Sequence, residues 1–235
     1  MNTSNIATQR VALVTGGSAG LGRALVTGLA EAGWTVITDA RHPERFHDLP
    51  RGVIALAGDI TDATHRDTLA DEVARHRRLD LLVHNASALG PSPLPRLEEI
   101  SVEDLQAVWR PNIGAPLVLT AQLLPHLVSS GGILLSISSD AAVEHYPGWG
   151  LYGASKAALD HLTLQYAAEN PVVTGYAVDP GDMRTEMHQA AFPGEDISDR
   201  PLPETVVPVL LELIGSGLPS GRYRTADLRV GELVR

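Results

Sequence analysis

The sequence predicts an α/β domain in which helices cover both faces of a doubly wound parallel sheet, giving three layers. Short apolar runs alternate with longer amphipathic segments, and this alternation indicates repeated strand–helix–strand units. The short runs are continuous in Val, Ile and Leu, which is typical of strands covered on both faces. A length of 235 residues suits a single domain of this kind.

About seven strands and five helices follow from the pattern. The predicted strands span residues 10–15, 35–38, 53–57, 79–83, 132–137, 174–178 and 222–225. Four of the predicted helices span residues 23–32, 61–77, 101–128 and 204–214, and the fifth carries Tyr152 and Lys156 and runs to about Glu169. Gly33 ends the first helix, and Ser101 with Asp104 forms a capping box at the start of the third.

One domain is predicted over residues 10–235, preceded by a polar tail at 1–9. Residues 183–203 are rich in Pro, Gly, Asp and Glu, and they are predicted to form a loop or lid over the substrate. No internal repeat or linker divides the chain.

Composition excludes several classes of function. The net charge of −10 argues against nucleic acid as the main partner, because phosphate binding needs a basic surface. Without cysteine there is no disulfide, thiolate nucleophile or cysteine-based zinc site. The nine histidines lack metal-site spacing, so no metal is predicted. With no signal-peptide pattern and no apolar run of about 18 residues, we expect a cytoplasmic protein outside the membrane.

A glycine-rich segment, residues 15–22, lies between the first strand and the first helix. Glycines allow a tight turn and close approach of the backbone to a ligand, and the following helix N-terminus offers free N–H groups to a pyrophosphate. The segment therefore predicts dinucleotide binding, with a simple tight turn as the alternative. The candidate residues are Thr15, Gly16, Ser18, Gly20, Leu21 and Gly22.

The end of the second strand bears on the choice of dinucleotide. An acid there binds the ribose 2′-OH of NAD, whereas a basic residue favours the 2′-phosphate of NADP. Residues 38–42 contain both Asp39 and Arg41, and strand alternation sends neighbours to opposite sides. The pattern alone leaves the choice open.

Tyr152 and Lys156 lie four residues apart on a predicted helix and therefore share one face. A nearby ammonium favours the phenolate, so we expect Lys156 to lower the pKa of Tyr152 and make it a general acid/base. The alternative is a surface lysine stacked on an ordinary tyrosine.

In this order and spacing, the motifs resemble those of the short-chain dehydrogenase/reductase family, in its short single-domain branch, over roughly residues 10–190. The resemblance implies a Rossmann-type fold. It also implies further cofactor contacts at the positions that match the family motifs, together with a catalytic set. The further cofactor residues are Asp59, Ile60, Asn85, Ala86, Pro180, Gly181 and Thr185, and the catalytic set is Asn112, Ser139, Tyr152 and Lys156.

The resemblance also bears on the cofactor. Counted from Gly33, the acid of NAD-dependent members falls at Ala40, and the arginine of NADP-dependent members falls at Arg41. Asp39 lies one position too early for the acid. The resemblance therefore favours NADP(H), with NAD(H) as the alternative.

The chain departs from the family pattern at three places. His84 and Ser87 replace the outer residues of an Asn-Asn-Ala-Gly element, which we expect to alter packing more than chemistry. Pro111 precedes Asn112 within a predicted helix, where a kink is expected. The C-terminal region lacks the common Asp-Gly-Gly ending.

The implied reaction is hydride transfer between nicotinamide and a carbonyl/alcohol pair. Tyr152 would move the proton, Lys156 would bind the nicotinamide ribose, Ser139 would bind the substrate oxygen, and Asn112 would hold a water linked to Lys156. The substrate contacts are predicted at His145, Trp149 and Met187. The alternatives are an NADP(H)-binding redox regulator with little turnover and a sugar-nucleotide epimerase, which is usually a longer chain. A homodimer or homotetramer is expected.

Overall fold

A computed structural model describes residues 9–231, so most of the predicted tail at 1–9 lies outside the described residues. Within these residues, seven parallel strands form one sheet in the order β3-β2-β1-β4-β5-β6-β7. The strands are β1 Val11–Val14, β2 Thr35–Ala40, β3 Val53–Ala57, β4 Leu81–His84, β5 Ile133–Ile137, β6 Thr174–Asp179 and β7 Gly221–Arg224. The predicted three-layer Rossmann-type fold is thereby confirmed.

Helices pack on both faces of the sheet. They are α1 Gly20–Glu31, α2 Ala63–His76, α3 Val102–Trp109, α4 Ala115–Ser130, α5 Gly150–Glu169, α6 Glu186–Ala191 and α7 Val207–Gly215. One buried cluster joins α1 and α7 to the sheet, and the other joins α2 and α4 to its opposite face. The strand order reverses beside β1, where β1 pairs with both β2 and β4, and this switch point opens a crevice at the carboxyl ends of the strands.

Two predicted elements differ from the structure. The long helix predicted over 101–128 is divided by a five-residue π-helical segment, Arg110–Gly114, which contains Pro111. The predicted loop 183–203 contains a short helix, α6, whose first turn is capped by Thr185 Oγ1 accepting from His188 N at 3.1 Å. The Pro, Gly and Asp residues on both sides of α6 predict a loop, so the sequence pattern did not indicate this capped helix.

The continuous helical stretch Val102–Ser130 is long and apolar enough to cross a membrane by length and composition, with 33% of its most apolar window buried. One face of α4 packs on the sheet through Leu119, Leu123 and Leu127, so part of its apolar character belongs to the core.

Candidate active site

The side chains of Asp39 and Asn85 hold the glycine-rich turn between β1 and α1 in place. Asp39 Oδ1 accepts from Gly16 N at 2.8 Å, and the Asp39 carbonyl accepts from Gly17 N at 3.0 Å. Asn85 Nδ2 donates to the carbonyls of Thr15 and Gly16 at 2.9 and 3.1 Å. The turn is therefore fixed from both neighbouring strands before any ligand binds.

The same turn has room for a ligand on its open side only. A Cβ on Gly22 would clash with the Asn85 amide and the Gly16 carbonyl. Ala19, which begins α1, gives no side-chain cap, so the N–H groups of the first turn keep their positive dipole end for a ligand. These features fit the pyrophosphate of a dinucleotide.

Asp39 is not free to bind a ribose. Its side chain is buried, and its second oxygen, Oδ2, lies 3.1 Å from His65 Nε2. Arg41, two residues later, is exposed and lines the cleft. The difference between the two residues is one of contacts: the Asp39 carboxylate is engaged by Gly16 and His65, whereas Arg41, just beyond the end of β2, is exposed at the cleft.

Asp59 lies opposite Arg41. Burial opposes ionisation of its carboxyl, but hydrogen bonds from the Thr61 N–H and hydroxyl, both at 2.8 Å, and the charge of Arg41 hold its pKa below the usual range. A charged Asp59 is thereby kept at the cleft.

Tyr152 and Lys156 lie at the inner end of this cleft, as predicted, on the buried face of α5. Lys156 is the only lysine in the chain. Its Nζ donates to the Ile137 carbonyl at 2.8 Å and lies 5.4 Å from the centroid of the Tyr152 ring. The alternative of a surface lysine is wrong, because only 1% of Lys156 is exposed.

The pKa of Tyr152 shifts in the direction opposite to the expected one. Burial raises the pKa of its phenol well above the usual value, and the charges of Asp140 and Asp179 raise it further. The Ser87 hydroxyl acts in the other direction. The expectation of a lowered pKa was wrong, because burial decides the direction of the shift and helix spacing carries no information on desolvation.

Burial also lowers the pKa of Lys156, to about 8, although the charge of Asp160 opposes the shift. His84 packs nearby, and burial followed by the charge of Lys156 lowers its pKa to about 3. His84 is thus neutral at physiological pH, with Nε2 2.7 Å from Thr120 Oγ1. Of His84 and Lys156, only Lys156 can therefore act as a cation beside Tyr152.

Ser139 follows β5 and faces the cleft from the strand end. Its Oγ donates to Asp140 Oδ1 at 3.0 Å and accepts from Ala141 N at 3.2 Å. The neighbouring Ser138 is buried and donates to Asp160 Oδ2 at 2.8 Å. The structure therefore leaves Ser139 as the hydroxyl nearer to a substrate.

Asn112 lies in the π-helical segment and is fully buried. Its Oδ1 accepts from Ala88 N at 2.7 Å and from Ser87 Oγ at 3.2 Å. Its Nδ2 donates to Ala88 O at 3.0 Å and to Ser155 Oγ at 2.9 Å. These contacts use both donors and both acceptor sites of the amide, so any water that Asn112 holds must bind its backbone carbonyl.

Ser87 does more than alter packing, contrary to the sequence expectation. Its hydroxyl donates to Asn112 and lowers the pKa of Tyr152, so it joins two predicted catalytic residues. His84, the other departure, is a packing residue as expected.

The cleft has a volume of about 990 Å³. Thr15 and Gly22 lie behind its lining, while the other predicted cofactor positions line it. Those lining positions are Gly16, Ser18, Gly20, Leu21, Arg41, Asp59, Ile60, Asn85, Ala86, Tyr152, Lys156, Pro180, Gly181 and Thr185.

Two of the three predicted substrate contacts lie at the inner end of the cleft. Trp149 packs edge-on against Tyr152, with ring centroids 5.8 Å apart, and Met187 lines the wall on α6. His145 is exposed and does not line the cleft. Sequence reasoning missed Phe192, which follows α6 directly. Its ring packs against that of Trp149, with the ring centroids 6.0 Å apart.

Sequence reasoning also missed two polar residues of the cleft, Asp140 and Arg45. Asp140 Oδ2 accepts from Tyr146 Oη at 3.0 Å at the substrate end of the cleft. Arg45 reaches across the cleft mouth to Glu186, with Nη1 and Oε2 2.9 Å apart. Adjacency to Ser139 could have suggested Asp140, whereas the contact with Glu186 spans 141 positions and leaves no local pattern.

Comparisons with known proteins agree with this geometry. A family model described as short chain dehydrogenase matches residues 10–196. The short chain dehydrogenase PenD of Penicillium thymicola is 35% identical over 213 residues, which cover 82% of this chain and 76% of PenD.

Solved structures give the same result. A short chain dehydrogenase from Shigella flexneri, complexed with NADP, matches at a TM-score of 0.85 and 30% identity, covering 92% of this chain and 97% of that one. Another from Escherichia coli, complexed with NADPH, matches at 0.84 and 30% identity, covering 92% and 96%.

Proposed function

This chain belongs to the short-chain dehydrogenase family of oxidoreductases, and on that premise we propose that it transfers hydride between NADP(H) and a carbonyl/alcohol substrate. Tyr152 acts as the general acid/base. The observation that carries the proposal is the convergence of Tyr152, Lys156 and Ser139 at the inner end of a cleft whose outer end fits a dinucleotide.

NADP(H) is the preferred cofactor. Arg41 is the exposed cation at the position where a 2′-phosphate would lie, and Asp39 is occupied by Gly16 and His65. The NADP and NADPH complexes of similar structures support this choice. When bound, the cofactor supplies the hydride chemistry, and the protein supplies position and charge.

The chain's own groups handle the proton. In reduction, the Tyr152 phenol, kept protonated by burial, donates its proton to the substrate oxygen. Ser139 Oγ donates to the same oxygen and stabilises the charge that develops there. Lys156 stands behind Tyr152 as a buried cation and stabilises the phenolate left after transfer.

The substrate end of the cleft is apolar on one side and polar on the other. Trp149, Phe192 and Met187 form the apolar side, while Asp140 and Tyr146 form the polar side. This arrangement suits a small carbonyl compound with an apolar group next to the reacting carbon.

The test is NADPH oxidation with a panel of ketones, aldehydes, quinones and sugars, repeated with NADH and with Arg41→Ala. We expect turnover to favour NADPH, and Arg41→Ala to reduce the preference by about tenfold or more through loss of a charge-assisted contact. Faster turnover with NADH in the unmodified protein would contradict the assignment of Arg41.

A redox regulator that binds NADP(H) without turnover is the second candidate. The raised pKa of Tyr152 favours it, because a phenol so hard to ionise is a poor base for oxidation. Tight NADPH binding with no turnover across the whole panel would establish the regulator and exclude the enzyme.

We further propose a homo-oligomer built on the outer face of α3, α4 and α5. Leu105, Trp109, Leu117 and Val118 expose 36–42% of their surface there. Tyr166 Oη on α5 donates to Leu117 O at 2.9 Å, so the outer faces of α4 and α5 are continuous. A second copy of the chain would cover these side chains.

A further inference from the structure

Arg222 lies on the edge strand β7, and its side chain contacts residues that line or support the candidate active site. Its Nη2 donates to the Ser139 carbonyl at 2.8 Å, and its Nε donates to Asp160 Oδ2 at 3.1 Å. The same Nη2 lies 3.7 Å from Asp179 Oδ2. One guanidinium therefore contacts the end of β5, the helix α5 and the end of β6.

Asp160 is the most consequential of these partners. It follows Lys156 by one helical turn, and its side chain is only 10% exposed. Its Oδ2 accepts from Ser138 and Arg222, while its buried Oδ1 has no hydrogen-bond partner among the described residues. Burial raises the pKa of Asp160, and the contacts with Ser138 and Arg222 oppose that rise.

Asp179 also faces the reacting groups. Its Oδ1 accepts from Gly181 N at 3.0 Å, which fixes the backbone of the predicted nicotinamide segment. Its charge raises the pKa of Tyr152. Arg224 Nε lies 3.7 Å from Asp179 Oδ2 as well, but the Arg224 side chain is 57% exposed and makes no contact with Ser139 or Asp160.

The charged and titratable groups around Lys156 and Tyr152 come from several elements. They are neutral His84 on β4, Asp140 after β5, Asp160 on α5, Asp179 on β6 and Arg222 on β7. The charge of Asp160 acts on Lys156, whereas the charges of Asp140 and Asp179 act on Tyr152. Arg222 is the cation that contacts both Asp160 and Asp179.

We propose that Arg222 is a positioning residue of the active site, which holds the Ser139 backbone in place and balances the charges of Asp160 and Asp179 beside Lys156 and Tyr152. Its catalytic consequence rests on the proposed function, while the electrostatic part stands on the contacts alone. Neither a helix motif nor a strand pattern near the C-terminus indicates this role.

The guanidinium acts in two separable ways. Because its Nη2 holds the Ser139 carbonyl, it limits movement of the hydroxyl that binds the substrate oxygen. Because it carries a fixed positive charge, it keeps Asp160 from stabilising the ammonium of Lys156 too strongly. A lysine at this position would keep the charge but lose the planar fork of donors.

The electrostatic part can be measured without turnover, because Lys156 is the only lysine. In protein labelled with [ε-¹³C]lysine, a single NMR signal reports the titration of Lys156. We expect Arg222→Met to move its midpoint upward from about 8 by about one pH unit, since Asp160 loses its counter-charge.

Further variants make the test specific. Arg222→Lys adds a second lysine signal, which is identified by comparison with the double variant Arg222→Lys with Lys156→Met. The Lys156 midpoint in Arg222→Lys should stay close to that of the unmodified protein, and Arg222→Met with Asp160→Asn should bring it back. Arg224→Met, the matched control on the same strand, should leave it unchanged. An unmoved midpoint in Arg222→Met, or an equal shift in Arg224→Met, would overturn the proposed charge balance whether or not the protein turns over a substrate.

The positioning part is read from kinetics with the best substrate of the panel. Arg222→Lys should lower kcat by about tenfold or more while the midpoint stays in place, because Ser139 loses its hold. Unchanged kcat in Arg222→Lys would overturn this part. If the unmodified protein turned over no substrate of the panel, the proposed function would be overturned instead. The NMR titration would still decide the proposed charge balance.

Discussion

At the residue scale, burial dominates the chemistry of the site. Tyr152 and Lys156 are both removed from water, so the pKa of the phenol rises and the pKa of the ammonium falls. Each shift favours the neutral form, and the proton therefore stays on Tyr152 at neutral pH. This distribution suits a general acid in carbonyl reduction.

The pKa of Lys156 predicts a pH limit for reduction. Above about 8 the amine loses its proton, and the phenolate formed during reduction loses its stabilising cation. We expect kcat/KM for carbonyl reduction to fall as pH rises through about 8, measured in buffers of constant ionic strength. A profile that is flat between pH 7 and 9.5 would contradict this role of Lys156.

His84 predicts a loss of stability in acid. Its pKa in the folded protein, about 3, lies below the ordinary value of about 6.5, so the unfolded chain binds the proton first as pH falls. The stability present above pH 6.5 is therefore lost as pH falls towards 3, by up to about 1.4 kcal/mol per pH unit.

The matched variant is His84→Asn, which restores the residue of the family element and does not titrate. Urea unfolding at pH 7, 5.5 and 4.5 should show the original protein losing stability relative to His84→Asn. The exposed His161→Asn serves as the control and should follow the original protein. Parallel curves for all three proteins would exclude a buried neutral His84.

At the scale of elements, the π-helical segment between α3 and α4 joins fold and site. The backbone there takes up Pro111 without ending the helical stretch, and it turns Asn112 inward to the loop after β4. The segment thus ties that loop to α5 through Ser155. A hydrogen-bonded side chain of this kind supports the site mainly through geometry.

Asn112→Ala should therefore destabilise the protein by about 2–3 kcal/mol, because it leaves the N–H and carbonyl of Ala88 without their partner. The measurement is the free energy of unfolding in urea. Gln106→Ala, an exposed change six residues earlier, is the control and should cost little. Equal effects of the two changes would show that the Asn112 contacts contribute no stability.

The sequence predicted the strands well because parallel strands that are buried on both faces consist of continuous apolar residues. It failed at α6, where a six-residue helix lies among Pro and Gly, and at the π-helical segment, where tertiary contacts override propensity. The i, i+4 spacing located Tyr152 and Lys156 correctly. It could not give the direction of the Tyr152 pKa, because that depends on burial by distant segments.

At the scale of the whole molecule, the proposed cofactor and substrate sites share one cleft at the carboxyl edge of the sheet. The outer part is built from β1, β2 and the turn before α1, and the inner part from β5, α5 and α6. The ion pair between Arg45 and Glu186 spans the mouth between these two parts. The remaining outer surface of α3 and α4 carries the apolar residues that the site does not use.

That surface predicts the oligomeric state. Sedimentation should show a dimer or tetramer for the original protein, and a double change of Leu117→Glu and Val118→Glu should yield smaller species by placing charges in the contact. Leu97→Glu, an exposed apolar position outside these helices, is the control. A monomer at micromolar concentration in the unmodified protein would exclude the proposed assembly.

The central claim is that Tyr152 is the acid/base of a hydride-transfer enzyme, and Tyr152→Phe tests it most directly. The phenyl ring keeps the packing against Trp149 and removes only the hydroxyl. We predict that kcat for NADPH-dependent carbonyl reduction falls by about 10²–10⁴-fold while the Kd for NADPH, measured by fluorescence, changes by less than about threefold. Turnover in Tyr152→Phe within tenfold of the original protein, at equal affinity for NADPH, would contradict the account.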